Sequence, residues 1–254
     1  RNLQSIVEAT EVTSALLVTA SPFFASEEVK SNYGYPQGYA VKPVCEQLVE
    51  LSKHFNGLNT NDVLACSKEL PALPAGAEGW FAIPRWEKVA KTYNEAVEKV
   101  LDLIGKTRTF CNYRKGNLGP KYLRLSERTA VALAMLGERQ SPPAGGDFLL
   151  IPAQFGLIHR GRSVRRVREI IGNSNEFGLG SFIIGCMILT HPERLVQWEQ
   201  LHIDCPGDEY SHGADGDFSG APAFDFDDGK VKFYTRWYNY DRENYYGSAS
   251  GFVS

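Results

Sequence analysis

The chain has 254 residues, of which 43 % are hydrophobic and 22 % charged, and its formal net charge is −3. These values are typical of a globular protein and exclude a collagen-like, coiled-coil or wholly disordered chain. The small net charge also excludes a protein that is basic over its whole surface, although local basic patches remain compatible with it.

The sequence favours a reduced, cytoplasmic protein without a membrane partner. Its longest apolar run, residues 182–189, is shorter than the roughly 20 residues that span a bilayer. The chain begins with Arg1 rather than Met, which is compatible with removal of a leader or a disordered head. No CxxC motif occurs, and the cysteines are five in number: Cys45, Cys66, Cys111, Cys186 and Cys205.

The N-terminal half has the apolar periodicity of helices. The spacing predicts helices over residues 41–55, 61–68, 84–104 and 126–136. In the third of these, Pro84 suits the first helical position and Gly105 the stop. The Pro- and Gly-rich residues 141–146 predict a linker.

The C-terminal half mixes strands and helices. The pattern predicts strands over residues 148–151, 181–189 and 201–205, a helix over 163–171, and a hairpin of strands 223–227 and 230–238. Periodicity alone does not distinguish the apolar segment 181–189 from a buried helix. Thr190 and Glu193 have the spacing of a capping box, which predicts a helix reaching Gln200.

Together these elements predict an α+β fold with a helical N-terminal half and a mixed or antiparallel C-terminal sheet that ends in a β-hairpin. The linker predicts a boundary between a mainly helical region, residues 1–140, and an α+β region, residues 147–254. A single domain remains the alternative.

Three stretches of the sequence, residues 148–156, 159–168 and 189–195, resemble a family of uncharacterised bacterial hypothetical proteins. The similarity extends from about Tyr39 to the C-terminus. The family has no known activity, so the resemblance implies nothing about function.

The first of two basic segments covers residues 106–124 and contains no acidic residue. Phe110, Tyr113 and Tyr122 lie among its cations. Cations neutralise phosphates while aromatic faces stack on unpaired bases. The segment therefore predicts a nucleic-acid contact; a solvated loop with inward-packed rings is the alternative. Its basic residues are Lys106, Arg108, Arg114, Lys115, Lys121 and Arg124.

The second basic segment begins at His159 and continues into the helix that Ser163 is expected to cap. Arginine suits bidentate binding of phosphate or carboxylate, and an anion at the helix start would also meet free backbone N–H groups. The alternative is pairing with the chain's own acidic loop. The arginines are Arg160, Arg162, Arg165, Arg166 and Arg168.

An acidic loop covers residues 204–228, which contain no Lys or Arg. Within it, Asp215, Asp217 and Ser219 match the first half of a calcium loop, but Phe226 stands where an EF-hand has Glu. A looser Ca²⁺ or Mg²⁺ site is one prediction, and a polar turn is the alternative.

Carboxylates at strand ends can hold Mg²⁺ for phosphodiester hydrolysis. Asp204, Asp208 and Glu209 are the candidates for such ligands, and His202 and His212 for proton transfer. The more common role of such histidines is structural.

The leading functional prediction is nucleic-acid or phosphate binding through the two basic segments. The first alternative is a metal-dependent nuclease or phosphodiesterase that uses the acidic loop. The second is a non-catalytic assembly protein, in which the arginines of one copy meet the acidic loop of the same or another copy in a homo-oligomer.

Overall fold

A computed structural model describes residues 23–140, 146–237 and 242–253 of the chain. Within these ranges the fold is mixed α+β, as predicted, with seven α-helices and two sheets. The helices are α1 (Val44–His54), α2 (Asn61–Cys66), α3 (Trp86–Val89), α4 (Tyr93–Thr107), α5 (Glu127–Arg139), α6 (Val164–Ile171) and α7 (Ser181–Thr190).

The smaller sheet is antiparallel and has the order β1–β4–β11–β5. Phe81 of β1 lies opposite Ile151 of β4, and both side chains are fully buried. The strands are β1 (Gly79–Pro84), β4 (Phe148–Gln154), β5 (Glu176–Gly178) and β11 (Ser250–Phe252).

The larger sheet is mixed and is centred on β8. One side of β8 pairs with β6 and β7, and the other side pairs with β9, whose free side is covered by β2 in parallel. The strands are β2 (Phe110–Asn112), β3 (Leu123–Leu125), β6 (His202–Asp204), β7 (Asp208–Tyr210), β8 (Gly220–Asp227), β9 (Lys230–Trp237) and β10 (Tyr246–Ser248).

The apolar segment predicted as a strand, residues 181–189, is instead helix α7. Every residue of α7 is buried, and it packs against α4, α1 and β1. A helix that is apolar on all sides has no amphipathic period, so the pattern could not distinguish it from a strand.

The single helix predicted over residues 84–104 is also wrong. Pro84 ends β1, where it pairs with Phe148, and α3 is only one turn long. Helix α4 begins after Thr92, whose hydroxyl oxygen accepts a hydrogen bond from the Glu95 amide at 3.2 Å. This side-chain cap starts a second helix inside one periodic stretch.

The helix predicted after Thr190 does not form. Thr190 ends α7, and its hydroxyl donates back to the carbonyl of Met187 at 3.0 Å. A short 3₁₀ turn, Pro192–Arg194, follows. The capping-box pattern is thus used to finish one helix rather than to start another.

The predicted hairpin forms around Asp228 and Gly229, both of which have positive φ, as a type I′ turn requires. Strands β10 and β11 follow it, so the sheet does not end there, and β1 to β3 lie in the N-terminal half. Residues 141–145 of the predicted linker lie outside the described ranges. Strand β1, from the predicted helical region, pairs directly with β4, from the predicted α+β region. Among the described helices, none is long and apolar enough to cross a bilayer.

Candidate functional site

Helix α6 carries the second basic segment, and its first contacts are with Glu27. Ser163 caps the helix and donates its hydroxyl to Glu27 Oε2 at 2.5 Å. Arg165 Nε lies 2.9 Å from each carboxylate oxygen of Glu27. The hydrogen bond from Arg165 holds the pKa of Glu27 below its ordinary value. Ser163 and Arg165 therefore bind a carboxylate of the same chain.

Glu28 and Glu169 form ion pairs with two further arginines of this segment. Arg166 is 2.6 Å from Glu28 and 2.8 Å from Glu169. Arg162 pairs with Glu28 at 3.2 Å. Intramolecular carboxylates thus take the places that the sequence predicts for phosphates.

The remaining two arginines contact backbone oxygens. Arg160 donates to the carbonyl of Tyr33 at 3.0 Å, and Arg168 donates to that of Pro206 at 2.9 Å. Arg168 also lies 3.9 Å from Glu209. The acidic loop therefore supplies only a small part of the partners of this segment, and Glu27, Glu28 and Glu169 supply most.

The first basic segment leaves more of its cations open. Arg108 donates to the carbonyls of Pro192 and Leu195, and Arg124 pairs with Glu209 at 2.7 Å. In contrast, three lysines are exposed, namely Lys106, Lys115 and Lys121. Of the three aromatic residues, Phe110 and Tyr122 pack against the core, whereas Tyr113 is 55 % exposed.

Part of this segment forms one wall of an open cleft of about 430 Å³ along β2 and β9. The Tyr113 amide continues the β2–β9 pairing by donating to the carbonyl of Phe233 at 2.9 Å. We call this feature the sheet-edge cleft; it is lined by Tyr113, Arg114, Asp225, Lys232 and Tyr234.

Asp225 forms the floor of the sheet-edge cleft, opposite Lys232 in the β8–β9 register. Burial raises the pKa of Asp225 to about 6, although the Lys232 charge and the Tyr246 hydroxyl act in the other direction. Tyr246 donates to Asp225 Oδ2 at 3.3 Å and also contacts the hydroxyl of Tyr234. The cleft therefore contains a carboxyl group whose pKa lies well above that of an ordinary aspartate.

The same polar face of the sheet continues beneath the cleft. Arg236 lies 3.5 Å from Asp204 and places its guanidinium 3.7 Å from the centre of the Tyr246 ring. His202 is fully buried between aromatic rings, including Trp198 at 4.8 Å. Burial lowers the pKa of His202 to about 4, so the ring is neutral at pH 7.

The other catalytic candidates lie in separate surroundings. Asp208 is buried and accepts hydrogen bonds from the Tyr93 hydroxyl at 2.6 Å and the Ser181 amide at 2.7 Å. Glu209 pairs with Arg124 at the surface, and His212 packs against the Tyr210 ring. Asp204, Asp208 and Glu209 thus meet three different sets of partners.

Asp215 uses its carboxylate within its own loop. Its Oδ1 atom accepts from the Ser211 hydroxyl at 3.0 Å and from the Asp217 amide at 3.1 Å, which is the pattern of an Asx turn. Among the described residues, no group of three or more His, Cys, Asp or Glu side chains is placed to hold a metal ion. The Ca²⁺ or Mg²⁺ site at Asp215, Asp217 and Ser219 stays a prediction.

The candidate residues that sequence reasoning did not single out lie on β9 and β10: Lys232, Tyr234, Arg236 and Tyr246. A signal was present, because Lys230, Lys232, Tyr234 and Arg236 occupy alternate positions of a predicted strand, and alternate residues share a face. The sequence did not show that this face borders the first basic segment.

Comparison of the chain with protein-family models, with curated proteins and with solved structures finds no match in any of the three. The resemblance to a bacterial family therefore stays a prediction.

Proposed function

We propose that the protein binds single-stranded nucleic acid and that the sheet-edge cleft is the binding site. The observation that supports this most directly is the convergence of two tyrosine rings and a guanidinium group on one open cleft. Aromatic faces and basic groups along one groove are the elements with which proteins hold a single strand.

Tyr113 provides the stacking surface in this proposal. Its ring is 55 % exposed, while the backbone that carries it is fixed to β9 by a hydrogen bond. A rigidly held, exposed ring can stack on a base without a large cost in conformational entropy. The bases of a duplex are already stacked, which favours a single strand over a double strand.

Arg114 provides the phosphate contact inside the cleft, because Lys232 is already paired with Asp227 and Asp228. Arg114 lies beside the Tyr210 ring, with its guanidinium 5.4 Å from the ring centre. Its Nε atom is buried and has no hydrogen-bond acceptor among the described residues. Lys115, the residue after Arg114, and Lys121 are also exposed. Because so few cations take part, we expect a modest salt dependence, with about 0.7 per phosphate in the slope of log K against log salt concentration.

Fluorescence anisotropy with a labelled 12-nucleotide single strand tests the proposal. Tyr113→Ala should weaken binding about tenfold, since a stacked base contributes roughly 1–3 kcal/mol. Lys115→Ala should reduce the salt slope by about 0.7. Lys53→Ala is the matched control, because it removes one exposed lysine from α1 and should change neither quantity. Equal binding of duplex and single strand, or an unchanged affinity of Tyr113→Ala, would contradict the proposal.

The two alternatives are tested with the same material. A metal-dependent nuclease predicts that the oligonucleotide is cleaved in Mg²⁺, but the separate surroundings of Asp204, Asp208 and Glu209 do not support it. An assembly protein predicts an oligomer whose mass, measured by light scattering, falls as salt rises. Cleavage of the oligonucleotide in Mg²⁺, or a salt-sensitive oligomer that binds no oligonucleotide, would replace our proposal.

A further inference from the structure

A second polar group lies between the N-terminal loop, β1 and the turn after α7. It consists of Tyr35, Tyr39, Glu78 and Arg194, and we call it the Arg194 cluster. Arg194 is fully buried, and none of these residues lines the sheet-edge cleft. An inference drawn from this cluster is therefore independent of the proposed nucleic-acid binding.

The guanidinium of Arg194 makes no well-formed hydrogen bond among the described residues, and the nearby Tyr35 hydroxyl and Glu78 carboxyl offset only part of its charge. Its Nε, Nη1 and Nη2 atoms are all buried, and no hydrogen-bond geometry is satisfied at any of them. The planar faces of Tyr35 and Phe155 lie 3.8 and 5.4 Å from the guanidinium carbon. Aromatic faces stabilise a cation, but they do not accept the N–H groups in the guanidinium plane.

Two more polar atoms of the cluster are buried without a partner, namely the Tyr39 hydroxyl and Glu78 Oε2. The other oxygen of Glu78 is occupied, because it accepts from the Tyr35 hydroxyl and from the Phe155 amide at 3.2 Å. The Tyr39 ring lies 5.2 Å from the Tyr35 ring, and burial raises the pKa of Tyr39 by more than the charge of Arg194 lowers it. Burial raises the pKa of Glu78 to about 7, so this carboxyl is partly protonated at neutral pH and can donate a hydrogen bond.

A buried guanidinium whose N–H groups lack well-placed acceptors is destabilising. It cannot lose its proton at ordinary pH, and removing an ion from water costs several kcal/mol unless opposite charge and hydrogen-bond acceptors replace the water. The cluster presents donors from Arg194 and Tyr39 and offers them few acceptors. A group that brings both negative charge and acceptor oxygens fits this deficit.

We propose that the Arg194 cluster is a binding site for a small oxyanion, a carboxylate or a phosphate. The guanidinium of Arg194 binds two of its oxygens, which is the geometry that arginine favours with such groups. The Tyr39 hydroxyl donates to the same anion. Tyr35 and Phe155 hold the guanidinium plane in position.

Thermal unfolding of the full chain in sodium acetate, sodium phosphate and sodium chloride of equal ionic strength tests this proposal. We expect a saturable rise in Tm with acetate, with phosphate or with both, and none with chloride, because a ligand that binds the folded state stabilises it. The more effective anion identifies the class. An equal response to all three salts would overturn the proposal.

Two variants complete the experiment. Tyr39→Phe removes only a hydroxyl and should raise the half-saturating anion concentration at least threefold. Tyr122→Phe is the control, because this half-buried tyrosine lies outside the cluster, and it should respond as the parent does. A Tyr39→Phe protein with the parent's response, or an Arg194→Met protein that folds and keeps the response, would show that the anion binds elsewhere.

Discussion

The protonation of Asp225 is expected to make the charge of the sheet-edge cleft depend on pH. Burial raises the pKa of its carboxyl to about 6, and the charged and titratable groups around it are Lys232, Asp227, Tyr234 and Tyr246. Above that pH, a negative charge lies on the floor of a cleft that we propose to hold phosphates. Below it, the carboxyl is neutral and can donate a hydrogen bond to a base.

Oligonucleotide affinity should therefore increase as the pH falls from 7.5 to 5.5. Removing one negative charge near a phosphate corresponds to roughly 1 kcal/mol, or about fivefold. Asp225→Asn should bind at pH 7.5 as tightly as the parent binds at pH 5.5, with a flat profile between. Anisotropy titrations at both pH values measure this, and an unchanged pH profile in Asp225→Asn would exclude Asp225 as the group responsible.

Tyr93 and Asp208 form a buried polar pair whose role is structural. Burial raises the pKa of Asp208 to about 6, above the unfolded value of roughly 3.9. The stability that this group contributes is therefore full below about pH 4 and is lost as the pH rises towards 6. The hydroxyl of Tyr93 and the Ser181 amide limit that loss by donating to the carboxylate.

Tyr93→Phe should lower the free energy of unfolding by about 1–3 kcal/mol, since it leaves a buried acceptor with one donor fewer. The loss should be larger at pH 8 than at pH 5, because the ionised carboxylate needs the donor more. Urea denaturation at both pH values measures it. Tyr113→Phe, at an exposed tyrosine, serves as the control and should be neutral; equal losses in both variants would contradict the assignment.

At the scale of elements, the close approach of α7 to α4 is made at Gly185. A Cβ atom built on Gly185 would lie 2.8 Å from a methyl carbon of Val100. Helix propensity alone favours alanine over glycine by about 1 kcal/mol. The packing of a fully buried helix opposes this, since an added methyl group has no space.

Gly185→Ala should therefore destabilise the protein by about 1–3 kcal/mol despite its better helix propensity. Val100→Ala in the same chain should restore part of the loss, because it removes the methyl groups that the new Cβ meets. Urea denaturation of both single variants and the double variant gives the coupling. Additive losses would show that the two helices do not meet at these residues.

The arginines of helix α6 hold the segment around Glu27 and Glu28 against the helix through ion pairs. Arg166→Ala removes contacts with Glu28 and Glu169 and should lower the free energy of unfolding by about 1 kcal/mol. The affinity for an oligonucleotide should stay unchanged. A loss of affinity without a loss of stability would instead favour the arginines of α6 as the phosphate-binding surface.

Elements with local chemical signals could be predicted from the sequence. The hairpin at Asp228 and Gly229 follows from turn residues that tolerate positive φ, and Ser163 caps the helix that follows it, as predicted. Helix α7 could not be predicted with the same rules, because burial on all sides removes the period that identifies a helix.

The candidate site was predictable only in part, since its residues meet across long stretches of chain. The first basic segment, which the sequence singles out, contributes Tyr113 and Arg114 to the lining of the cleft. In contrast, Arg165 and Glu27 are 138 positions apart, and no local pattern in the sequence reveals that they pair. Composition shows that opposite charges are segregated, but only the fold decides which charges neutralise each other.

At the scale of the whole molecule, one short segment connects the two sheets. β10 lies in the larger sheet and β11 in the smaller, with only Ala249 between them. The hydroxyl of Tyr246 on β10 contacts the carboxyl of Asp225 in the sheet-edge cleft. The strand that leads into the smaller sheet thus also contacts a residue that lines the proposed binding site.

The basic residues of the molecule fall into two groups, those paired with carboxylates of the chain and those left exposed. Most arginines of α6 are neutralised by glutamates of the chain itself, whereas several lysines of the first basic segment remain exposed. We therefore expect external phosphates to bind at one edge of the larger sheet and not at helix α6, the most arginine-rich helix.

Photo-crosslinking of a 5-bromouracil-substituted single strand, with the attached peptide identified by mass spectrometry, tests this assignment most directly. The account predicts cross-links at Tyr113 or Tyr234, which are lost when excess unlabelled strand competes. Cross-links confined to residues 160–168, or none at all under conditions of measured binding, would contradict it.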